Sequence, residues 1–140
     1  MAQKENLLTR LEDFIVWFLP HLESFPRNYK FLVGDRAVNI LFDILEDVAD
    51  AYYSKEKLEK LQRANVRLEK FRRILAVCVR MKFLSPKQMG FASNRLYEIG
   101  SDLGGWIKQQ GVGRKAKSVK RQQPASNIQQ PASEKPFPSF

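Results

Sequence analysis

At 140 residues the chain has the size of a single domain, and its one cysteine excludes an internal disulfide. A hydrophobic content of 44% is enough for a core, and 24 basic against 15 acidic residues, a formal net charge of +9, favours an acidic partner such as nucleic acid. The apolar run Phe14 to Leu19 is far shorter than a membrane span, and Met1 to Glu5 carries no signal-peptide pattern, so the expectation is a cytoplasmic protein with no membrane partner.

The first predicted helix runs from about Glu5 to Leu22. Leu7, Leu8, Leu11, Phe14, Ile15, Phe18 and Leu22 recur at helical spacing and form one apolar stripe. Pro20 removes a backbone donor and is expected to kink the helix or begin its end. Val16 and Trp17 fall off the stripe and form a candidate contact surface.

A break follows at Glu23 to Arg27, and Asn28 is a plausible cap for a second helix reaching about Tyr53. Phe31, Gly34, Val38, Leu41, Leu45, Val48 and Tyr52 keep the three-four spacing of a bundle seam. Val33, Ile40 and Ile44 make the apolar arc wider than one bundle interior needs. Asp35, Asp43, Glu46, Asp47 and Asp50 make this helix acidic.

The third helix is expected to be capped by Ser54, with Tyr53 and Leu58 as a hydrophobic staple, and to run to about Lys82. Leu58, Leu61, Ala64, Leu68, Phe71, Leu75, Cys78 and Val79 form its inner face. Ten basic residues lie between Lys55 and Lys82, against three acidic ones. Lys60, Arg63, Arg67 and Lys70 recur on one outer flank, with Arg73 and Arg80 on adjacent outer positions. Further along, the flank carries Ile74, Val77 and Met81. The cations are candidates for phosphate contact, with little sequence preference. The competing explanation pairs them with the acidic second helix, inside one subunit or across an assembly.

The fourth helix opens on a capping box. The Ser85 side chain is placed to accept from the first turn, Gln88 to reach back to Ser85, and Pro86 to occupy the first helical position at no cost. Leu84 and Met89 flank the cap. The seam Met89, Ala92, Leu96, Ile99, Leu103, Trp106 follows to about Lys108. Gly100 and Gly104 lie beside it, and the close approach of a neighbouring helix would explain two glycines in a helix interior.

Gly111 and Gly113 are expected to end the helix. Residues 1–110 carry 18 basic and 14 acidic residues, and residues 111–140 carry 6 and 1. The latter begin with the cluster Arg114, Lys115, Lys117, Lys120 and Arg121, then give Gln-Gln-Pro-Ala-Ser twice. This composition predicts a disordered basic tail over 111–140. Residues 1–110 read as an all-α, up-down-up-down four-helix bundle. Arg114, Lys115 and Lys117 join the candidate nucleic-acid contacts.

Catalytic readings find little support. His21, the single histidine, has no second ligand or nucleophile signalled with it, and the Glu-x-x-His pattern of a diiron bundle is absent. Cys78 reads as a small buried residue. No phosphate-cradling glycine loop is present, because Gly104-Gly105 falls inside a helix. No catalytic residue, metal site or cofactor is expected.

Several strings carry a resemblance. Glu98-Ile99-Gly100-Ser101-Asp102-Leu103-Gly104-Gly105-Trp106-Ile107-Lys108 is similar to the end of the last helix in the four-helix-bundle family of the accessory variability (Avd) proteins of diversity-generating retroelements. The same family includes proteins encoded in ribosomal RNA intervening sequences. Phe25-Pro26-Arg27 through Arg36 resembles its junction between the first two helices, and Ala64-Asn65-Val66-Arg67-Leu68-Glu69 with Arg72-Arg73 resembles its third helix. Coverage is about residues 10 to 108. Ser101-Asp102 stands where members more often carry a basic and an apolar residue, and Ala76 where many carry arginine.

The resemblance implies a ring, typically a pentamer, that binds the retroelement reverse transcriptase and its template RNA. It also implies support of mutagenic complementary-DNA synthesis without catalysis. Val16, Trp17, Ile40, Ile44, Ile74, Val77, Met81 and Phe91 lie off the main seams, and these apolar residues are the candidate homo-oligomer interface. The alternative is an oligomeric helical interaction protein with no nucleic-acid role. RNA is the expected polyanion, with DNA as a second possibility.

Overall fold

The computed structural model describes the backbone of residues 2–115 and the side chains of residues 7–111. Among the described residues there is no strand. Four long helices, α1 (Ala2–His21), α2 (Asp35–Tyr53), α3 (Lys57–Arg80) and α4 (Pro86–Lys115), account for most of them. The chain divides into two units, Met1–Lys108 and Gln109–Phe140. The first holds the bundle. Of the second, the described residues are helical through Lys115, so Gly111 and Gly113 do not end the helix as expected. The tail expected from there on lies outside the described residues.

The helices alternate in direction. On α1 and α4, Arg10 pairs with Asp102 while the Trp17 ring lies 4.8 Å from that of Phe91, which is an antiparallel register. On α3 and α4, Gly100 faces Leu68 and Arg72, and Arg72 Nη2 donates to the Leu96 carbonyl at 3.0 Å, antiparallel again. A three-residue connection, Ser54 to Glu56, joins α2 to α3 and forces that pair to be antiparallel as well.

The core is the apolar stripe of each helix. Leu7, Leu11, Phe14, Ile15 and Phe18 of α1 meet Leu61, Ala64, Leu68, Phe71, Leu75 and Cys78 of α3, with Ala92, Leu96, Ile99, Leu103 and Trp106 of α4 closing it. Phe14 and Phe18 both meet Phe71 edge-on, with ring centres 5.7 and 5.5 Å apart. These are favoured aromatic geometries. Pro20 falls in the last turn of α1, and a 3₁₀ turn (Leu22–Ser24) follows it.

On α2 the buried apolar stripe is Ala37, Leu41, Ile44, Val48 and Ala51, continuing from Gly34 just ahead of it. This differs from the expected seam. Phe31 is 68% exposed, Val38, Leu45 and Tyr52 are half-buried, and the small Ala37 and Ala51 lie innermost. Three-four spacing of large residues marks one seam in the sequence, whereas a closely packed helix places small side chains where a neighbour comes closest. The segment leading into α2 adds to the shift. One α turn (Arg27–Tyr29) passes into a π-helical segment (Lys30–Gly34), whose wider turn changes which side chains face inward.

The helix ends are built as the sequence implies at one place and differently at two. Gln88 N–H donates to Ser85 Oγ at 3.0 Å and Ser85 N–H to Gln88 Oε1 at 2.9 Å, the reciprocal pair of a capping box. Ser54 does not cap α3. Its Oγ accepts from Glu56 N–H, while Lys57 Nζ donates to the carbonyls of Ala51 and Ser54 at 2.8 and 2.7 Å and closes the C-terminus of α2. Tyr53 is exposed rather than stapled. At the end of α3, Phe83 N–H donates to the Cys78 carbonyl and Lys82 N–H to that of Val79, with Lys82 at φ 65°. This is a Schellman ending without its usual glycine.

Candidate nucleic-acid interface

The basic flank of α3 divides into two groups. Asp47 of α2 lies on the buried stripe between Ile44 and Ala51, and its side chain is only 6% exposed. A charge in that position needs compensation. Arg63 Nε donates to Asp47 Oδ1 at 3.2 Å and Arg67 Nη1 to Oδ2 at 2.6 Å, so each carboxylate oxygen takes one arginine. The Asp47 hydrogen bond in particular holds the Arg67 guanidinium above its ordinary pKa, with burial opposing it. The two side chains remain 44% and 33% exposed.

The second group is unpaired. Lys70, Arg73 and Arg80 are exposed and form no ion pair among the described residues, and Lys60 is half-buried one turn before the pair. The intrasubunit pairing of α2 with α3 therefore accounts for Arg63 and Arg67, and leaves the charge of Lys70, Arg73 and Arg80 unspent. Arg72, which borders the inner face, bonds Glu69 and the Leu96 carbonyl and ties α3 to α4. Arg114 and Lys115 lie in α4, but their side chains, like all of Lys117, fall outside the described residues.

The sequence reading did not single out Asp47. The available signal was its place on the 37-41-44-48-51 stripe, where an acid is out of keeping, opposite a basic flank. The departure Asp102 also has a structural explanation, because it pairs with Arg10 across α1 and α4.

The candidate interface residues are scattered by depth. Val16, Val77, Met81 and Phe91 are exposed. Trp17, Ile40 and Ile74 are half-buried against the core. Ile44 is a correction, since it is completely buried within the chain and offers no surface to a second copy. It sits on the true seam of α2, which the expected seam missed. Trp17 is partly covered by the rings of His21 and Phe91, at 4.3 and 4.8 Å, and Arg95 lies over the Phe91 ring at 4.8 Å. His21 Nδ1–H donates to the Trp17 carbonyl at 2.7 Å, a structural use of the single histidine. Phe31, Leu32, Tyr53, Val66 and Tyr97 are exposed apolar residues that the sequence reading did not place on the surface set.

No helix among the described residues is long and apolar enough to cross a membrane. Comparison with the curated proteins gave no match, and comparison with the solved structures gave none either. The bAvd-like family profile matches residues 6–110, three quarters of the chain and the whole span of the four seams. The chain belongs to the bAvd-like family, and that membership suggests an accessory role in diversity-generating retroelements.

Proposed function

We propose that the chain is a non-catalytic accessory subunit that binds a retroelement reverse transcriptase and its template RNA in the cytoplasm and supports mutagenic cDNA synthesis. The observation that carries this reading beyond the family assignment is the unpaired cationic group Lys70, Arg73 and Arg80 on the outer face of α3. Each phosphate neutralised on a single strand contributes about 0.7 to the salt dependence of binding. The proposed assembly is a homo-oligomer, with a pentamer preferred. A ring would repeat the α3 face around its circumference and add the copies into one positive surface.

The test is co-purification of the full chain with the candidate reverse transcriptase, with RNA retained, beside a variant carrying Lys60, Lys70, Arg73 and Arg80 all replaced by glutamine. The expected outcome is a folded variant with weaker RNA binding and a flatter salt dependence. A folded variant with unchanged RNA affinity would overturn the nucleic-acid reading. The Asp47 pairing of Arg63 and Arg67 favours a second reading, in which α3 charge is structural and the chain is an oligomeric interaction protein.

A further inference from the structure

The cations of α3 differ in kind. Lys70, Arg73 and Arg80 are exposed and form no ion pair among the described residues. Arg63 and Arg67, one helical turn apart, are held by a single carboxylate that is itself almost fully buried. Asp47 takes Arg63 through Nε and Arg67 through one Nη1 hydrogen, which leaves most N–H donors on both guanidinium groups uncommitted. Asp47 offsets one of the two positive charges, and Asp43 and Glu46 of α2 also act electrostatically on Arg67, so the group offers a phosphate its guanidinium N–H donors rather than a bare excess of charge. A guanidinium is a planar fork that matches a phosphate geometrically, and fixing it in advance removes the entropy otherwise lost on binding.

We propose that Asp47 is a positioning residue for phosphate binding: it holds Arg63 and Arg67 as a preformed two-guanidinium clamp for the backbone phosphates of a single-stranded nucleic acid. This rests on the nucleic-acid reading given above and adds a residue to it that bears the opposite charge. The buried acid would raise affinity for a polyanion, which charge counting alone would not allow.

The two views make opposite forecasts for Asp47→Asn in the full chain. The substitution keeps the size of the side chain and adds one positive charge to the protein. If only net charge matters, a labelled single-stranded RNA oligonucleotide binds the variant more tightly than the original chain. If Asp47 positions the clamp, binding weakens by about tenfold, the scale expected when two long side chains must be ordered on binding. Because a buried site is altered, a second variant accompanies it. Arg63→Lys with Arg67→Lys keeps every charge and the pairing to Asp47 but loses the planar fork. It is expected to bind several-fold more weakly with an unchanged salt slope, since the number of charges is the same. A purely structural Asp47 would lower thermal stability in Asp47→Asn without weakening RNA binding by the folded variant.

Weakened RNA binding by both folded variants supports the clamp. Undiminished binding by the double-lysine variant, or unchanged or tighter binding by folded Asp47→Asn, overturns it. The nucleic-acid reading then still stands if the Lys60, Lys70, Arg73 and Arg80 glutamine variant loses affinity. Absence of RNA binding by the original chain overturns both.

Discussion

Lys82 is an L-residue at φ 65°, a conformation that costs roughly 1–2 kcal/mol for a side chain with a Cβ. It is held there by the paired hydrogen bonds that end α3 and by Phe83, which is buried against Phe25 with ring centres 5.2 Å apart. Lys82→Gly is therefore expected to stabilise the chain by about 1 kcal/mol in chemical denaturation. At Cys78, burial pushes the thiol from 9.0 to about 11. The neutral form is favoured by the fold, so this contribution is fully present below pH 9 and is lost as pH rises through about 11. Iodoacetamide at pH 8 is expected to leave native Cys78 unmodified and to label it readily in denaturant, as read by mass spectrometry. The two helix-interior glycines also separate at this scale. A Cβ on Gly100 would lie 3.0 Å from Arg72 Nη2 and 3.5 Å from Leu68 Cδ2, whereas one on Gly104 would meet nothing within 4 Å. Gly104→Ala is expected to stabilise by about 1 kcal/mol through helix propensity. Gly100→Leu is expected to destabilise by roughly 1–3 kcal/mol through overpacking and loss of the Arg72 tie to Leu96. Unfolding curves for the two variants check both signs.

At the scale of elements, the stability of each helix is decided where it begins and ends as much as along its stripe. The Ser85–Gln88 box satisfies two backbone N–H donors at the start of α4, and Ser85→Ala is expected to cost about 1 kcal/mol. The connection between α2 and α3 works differently, because Lys57 reaches back from the first turn of α3 to the last carbonyls of α2. One side chain thus fixes the hairpin that brings Asp47 opposite Arg63 and Arg67. Lys57→Met, which keeps the stem and removes the donor, is expected to lower the melting temperature and loosen that register, seen as faster amide exchange in residues 51–57.

For the whole molecule, the exposed residues Val16, Val77, Met81 and Phe91 leave more apolar surface than a lone bundle covers. Light scattering is expected to show a homo-oligomer. Val77→Glu with Met81→Glu is expected to shift it toward monomer with helical content unchanged, because neither residue is part of the core. A chain ending at residue 110 is expected to keep the bundle and lose only the last turn of α4 from its helical content, since the core ends at Trp106.

The sequence by itself determined the all-α class, the short connections ahead of α3 and α4, the capping box of α4 and most of the inner faces of α1, α3 and α4. Those features depend on spacing along one helix or on neighbours within a few residues, and both are written in the chain. It did not determine the rotation of α2. Phe31 and Tyr52 keep the same spacing as Ala37 and Ala51, and only the closeness of the neighbouring helices, with the π segment ahead of α2, selects the small residues as the buried ones. The same rotation places Ile44 in the core rather than at a surface, and turns Asp47 from one acid among several into the buried carboxylate that holds Arg63 and Arg67. Which cations are committed and which are free is thus a tertiary fact, because an ion pair between residues sixteen and twenty positions apart exists only once two helices have packed in register.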